Sequence, residues 1–86
     1  MTHDIYLTLT HAVTAYDRKQ EGKRGYNRYA LGLYLAICED IANDVRGGRT
    51  LAQSLEYSFN DRLRDHVARA LVKSGHLASV PAWSRK

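Results

Sequence analysis

The chain predicts an all-α fold, a compact bundle of three or four helices around a long central helix, with an irregular C-terminal tail. Three observations carry this expectation. Apolar residues recur at three- and four-residue spacing, and nothing alternates with the period of two that a half-buried strand needs. The stretch from 26 to 45, YNRYALGLYLAICEDIANDV, is too apolar for a helix with one solvated face. Stop and start signals separate the periodic segments: Gly22 and Gly25, then Gly47 and Gly48 before Thr50, then Asn60, then Gly75.

A first helix is expected over 4–20, with Thr2 or Asp4 able to accept from an early backbone N–H as its N-cap. Ile5, Leu9, Ala12, Val13 and Tyr16 share its inner face, and Leu7 falls outside. The glycines of EGKRG turn the chain, and so short a connection favours an antiparallel hairpin. The second helix is expected over 26–46 as the spine of the bundle. Tyr26, Ala30, Leu33, Tyr34, Ile37 and Ile41 form its core sector, which Leu31, Cys38, Ala42 and Val45 widen, while Leu35 lies on the outer side.

Thr50 and Gln53 make a capping box for a short third helix carrying Leu51, Leu55 and Phe59. Asn60 caps a fourth, in which Leu63, Val67, Ala70 and Leu71 line up, although helices three and four also read as one kinked helix. Pro81 bars helix from the tail. The expected organisation is one helical domain over 1–75 and a tail over 76–86 that docks through Trp83 or stays disordered.

At 86 residues there is chain for one core only. Cys38 is the lone cysteine, which excludes an internal disulfide and a cysteine-based zinc site and fits a reduced, cytoplasmic protein. The N-terminal MTHDIYLTLTH is not patterned as a signal peptide, and no run is long enough to span a bilayer, so no membrane partner is expected.

Catalytic patterns are weak. The histidines His3, His11, His66 and His76 lack any metal-ligand spacing. Glu39, Asp40 and Asp44 cluster, but with no third ligand or nucleophile beside them they read as ion-pair acceptors for arginines such as Arg62 or Arg69. The glycine pairs follow helices, whereas a phosphate loop follows a strand. Neither an enzyme nor a metal or cofactor is expected.

The sharper signal is charge placement. Residues 18–28 hold five basic side chains against Glu21 alone, so this stretch accounts for the whole net charge of +4. Arg18, Lys19, Lys23, Arg24 and Arg28, with Tyr29 beside them, form a candidate partner-binding turn, suited to a carboxylate-rich surface or to phosphates. A second stripe, Arg62, His66, Arg69 and Lys73, runs along helix four. Helix-turn-helix docking by the Thr50–Leu71 segment is disfavoured, because Asp61 and Asp65 sit early in the would-be recognition helix and would repel phosphate.

Tyrosine supplies six of the aromatic residues, and tyrosine-rich, basic-edged surfaces are common at protein interfaces. The expectation is a small non-enzymatic binding or regulatory protein, an inhibitor or modulator of a larger complex, that docks by the basic turn onto an acidic protein or nucleoprotein. Direct, sequence-indifferent binding of DNA or RNA by the same patch is the alternative. A homodimer through exposed leucines is a further partnership that the sequence allows.

Overall fold

The computed structural model describes residues 2–83. Four helices pack together: α1 (Thr2–Gln20), α2 (Ala30–Arg46), α3 (Leu51–Glu56) and α4 (Asp61–Lys73), with no strand among the described residues. α1 and α2 form an antiparallel hairpin. Tyr26 reaches Asp17 at one end, while His3 and Tyr6 face Ala42, Asn43 and Arg46 at the other. α4 runs antiparallel on another side of α1, with His66 against Ala12 and Arg62 beside Tyr16. The expected spine is therefore shared: α2 is touched by α1 and α3, and α1 by α2 and α4. Leu9, Val13, Cys38, Ile41, Leu55, Leu63, Val67 and Leu71 fill the core where these faces converge. No helix is long and apolar enough to cross a membrane among the described residues.

Several boundaries depart from the sequence expectation. Asp4 lies inside the first turn of α1, where its charge suits the helix N-terminus, and is not a cap. α2 begins at Ala30 and not at Tyr26. Asn27 is the reason, because its side chain accepts from the Tyr29 N–H and its carbonyl from the Ala30 N–H, which closes a turn ahead of the helix. Without Tyr26 the apolar arc of α2 rotates. Leu31, Leu35, Cys38, Ala42 and Val45 turn inward with Tyr34, Ile37 and Ile41, while Leu33 points out at 64% exposure. Leu35, expected outside, packs on the core.

α3 starts on the expected capping box, with Thr50 and Gln53 each accepting from the other's backbone N–H. It ends at Glu56, short of Phe59. Helices α3 and α4 are separate, because Phe59 adopts φ 58° and sets its ring edge-on to Tyr34, centroids 6.1 Å apart. A left-handed aromatic residue costs energy that this packing must offset. Asn60 caps α4 by accepting from Leu63 N–H. Gly75, at φ 85°, lets His76 N–H return to the Leu71 carbonyl and close its C-terminus.

Past Gly75, residues 76–83 fold back on α4, while residues 84–86 of the expected tail lie outside the described residues. Trp83 donates from Nε1 to Asp65 at 2.9 Å, and the Arg64 guanidinium lies 5.0 Å from its ring centroid. Arg64 itself is buried, at 7% exposure, and donates to the Glu56 carbonyl at 2.9 Å and to Asp61 at 2.6 Å. One arginine thus ties the end of α3, the start of α4 and the tail.

Candidate functional site

The basic turn is a built structure. α1 carries Arg18 and Lys19 in its last turn, where cations suit the helix C-terminus. Gly22 and Gly25 take φ 84° and 80°, which an L side chain would resist, and the loop closes on itself through Lys23 N–H to Gln20 O and Tyr26 N–H to Lys23 O. Beneath it, Tyr26 donates to the Asp17 carboxylate at 2.8 Å. Asp17 is only 6% exposed, so this contact fixes the loop onto α1. The same hydrogen bond, with burial and the charges of Asp17 and Glu21, pushes the Tyr26 phenol up to about 12. A cleft of about 200 Å³ opens between turn and helices, with Lys23 and Arg24 on its wall beside Asp17 and Tyr34.

Arg18, Lys19, Lys23, Arg24 and Arg28 are all exposed, and none forms an ion pair among the described residues. Arg28 folds over its neighbour, its guanidinium 5.3 Å from the Tyr29 ring centroid and Nη2 donating to the Tyr29 hydroxyl at 3.2 Å. Tyr29 is 74% exposed, and Leu33, one helical turn on, stands beside it. Leu33 was invisible as a surface residue from the sequence, since counting Tyr26 into the helix drew the core sector over it. The signal was the rival arc Leu31, Leu35, Cys38, Ala42.

The second stripe loses a member. Arg62, Arg69 and Lys73 are exposed on α4, but His66 sits at the edge of that face and turns inward. Its Nε2 lies 3.1 Å from the Ala12 carbonyl and its ring 5.5 Å from that of Tyr16. Burial lowers its pKa, the hydrogen bond to Ala12 opposes that, and the nearby cations Lys19 and Arg69 add to the lowering. His66 is a packing residue between α1 and α4.

The acidic cluster pairs differently from expectation. Asp44 accepts from Ser54 Oγ at 3.0 Å and meets Arg49 at 3.7 Å, so its partners belong to the α2–α3 corner and not to Arg62 or Arg69. Glu39 and Asp40 are exposed. Cys38 is buried in the core, and burial pushes its thiol up to about 12. His66, Cys38 and the Asp40–Asp44 pair therefore occupy three separate places. Among the described residues, no three of His, Cys, Asp and Glu gather as a metal site. Neither family models, nor curated proteins, nor solved structures gave a match to this chain.

Proposed function

We propose that this chain is a small non-enzymatic binding and regulatory protein. It docks through Arg18, Lys19, Lys23 and Arg24, with Arg28 and Tyr29 at the margin, onto an acidic protein or nucleoprotein surface, and so inhibits or modulates a larger complex. The observation that carries this reading is the state of the five cations: each is exposed and without an ion pair among the described residues, in the last turn of α1 and on the following turn that Asp17 and Tyr26 tie to it. A fixed loop presents charge at little cost in ordering, which favours a defined carboxylate pattern as the target. Phosphate tracking with base stacking is less well supported, because Arg28 already covers one face of the Tyr29 ring and His66 is turned away from the α4 stripe.

The test is fluorescence anisotropy with labelled polyglutamate, duplex and single-stranded oligonucleotides at several salt concentrations. The wild type runs beside a variant carrying Lys19→Ala, Lys23→Ala, Arg24→Ala and Arg28→Ala. Polyglutamate binding that disappears in the variant, with no oligonucleotide binding at ~50 mM salt, is the expected result. Oligonucleotide binding whose log–log salt slope shrinks in the variant by about 0.9 per lost duplex phosphate contact overturns it in favour of direct nucleic-acid binding.

A further inference from the structure

α2 keeps one wall that no other element covers. Tyr29, Leu33, Ala36 and Asp40 follow on it at i, i+4, i+7 and i+11, and all four are exposed. Gly32 lies alongside, and a Cβ placed there would meet nothing within 4 Å, so the wall is open and shallow next to the Leu33 ridge. Charge runs along the same stripe. Arg28, stacked on Tyr29, stands at its N-terminal end, and Asp40 with Glu39 stands at the other. Neither acid forms an ion pair among the described residues.

At its N-terminal end this order runs against the field of the helix itself. A cation lies just ahead of the N-terminus of α2, and no acid occupies its first turn. Arg46 in the last turn suits the helix, but Arg28 gains nothing from α2, whereas a second copy laid antiparallel brings an acid to it at both ends of the stripe.

We propose that this stripe is a self-association surface, pairing antiparallel with the same stripe of a second copy across a two-fold axis between Leu33 and Ala36. In that register Arg28 and Tyr29 face Asp40 of the second copy, and Leu33 fills the shallow space over its Gly32 and Ala36. The axis repeats each contact, so one ridge-in-groove contact and one charge pair become two of each. Only Tyr29 and Leu33 offer large apolar groups, so the pair is weak and concentration-dependent, below the area of permanent dimers. Pairing stands independently of the proposed docking function. Arg18, Lys19, Lys23 and Arg24 stay open at the two ends of the pair, but Arg28 and Tyr29 belong to both surfaces, so pairing and docking compete for them.

Sedimentation velocity over a dilution series tests it. The wild type is expected to pass from dimer to monomer on dilution, and Leu33→Asp to be monomeric throughout. Arg28→Glu and Asp40→Arg are each expected to weaken pairing about tenfold, since each sets like charges together at both ends. An equimolar mixture of those two variants restores it, because every end then holds opposite charges. That recovery cannot come from a folding defect, and Arg28→Glu places an acid where the N-terminus of α2 favours one. A wild type that stays monomeric at its solubility limit, a dimer indifferent to Leu33→Asp, or a mixture that does not recover each overturns the proposal.

Discussion

Asp17 and Arg64 are the charged side chains that the described fold buries, and each is held by a different device. Asp17 takes a neutral donor, the Tyr26 hydroxyl, and so the phenol becomes hard to ionise. In an ultraviolet titration one of the six tyrosines should ionise late, near pH 12, and Tyr26→Phe should remove that late phase while loosening the turn. His66 gives the opposite sign. Its folded-state pKa lies below the unfolded value of about 6.5, so its contribution to stability is complete above that pH and is lost as pH falls through the folded pKa. Urea midpoints should therefore drop on acidification below about pH 6.5, and His66→Gln should flatten that part of the profile. Neither partnership was legible in the sequence. Asp17 and Tyr26 meet only because two left-handed glycines fold the loop back, and His66 reads as basic until α1 lies beside it.

At the scale of the element, the caps were legible because they are local. Thr50 with Gln53, and Asn60 with Leu63, each involve residues three apart, so spacing alone specifies the contact. Asn60→Ala should cost about 1 kcal/mol, read from denaturant unfolding, since the Leu63 N–H loses its acceptor. The start of α2 was less legible. Residues 26–29 fit helical periodicity as well as the residues of α2 do, and only the Asn27 side chain, in competition with the helix for the Tyr29 N–H, shifts the boundary to Ala30. That shift of one turn is what exposed Leu33 and buried Leu35. Asn60 marked the start of α4, but the rival reading of one kinked helix stayed open because the left-handed turn at Phe59, φ 58°, is chosen by its contact with Tyr34 and not by its own preference.

At the scale of the molecule, the hydrophobic pattern predicted the all-helical bundle, and the charge count located the basic turn. Which cations remain unpaired depended on packing, since Asp44, Asp61 and Asp65 all found partners away from the α4 stripe. The tail is part of this whole. Trp83→Ala should lower stability by about 2 kcal/mol, because Arg64 loses its aromatic cover and Asp65 its donor. As the only tryptophan, Trp83 also reports its own release, by a red shift in emission ahead of or together with global unfolding. Cys38 offers a different kind of handle. The single sulfhydryl lies fully inside the core, so a chromogenic thiol reagent should leave the native protein untouched and react only as fast as the molecule opens. The rate of colour development then clocks global opening, and any surface position changed to cysteine becomes a unique attachment point for a dye or spin label.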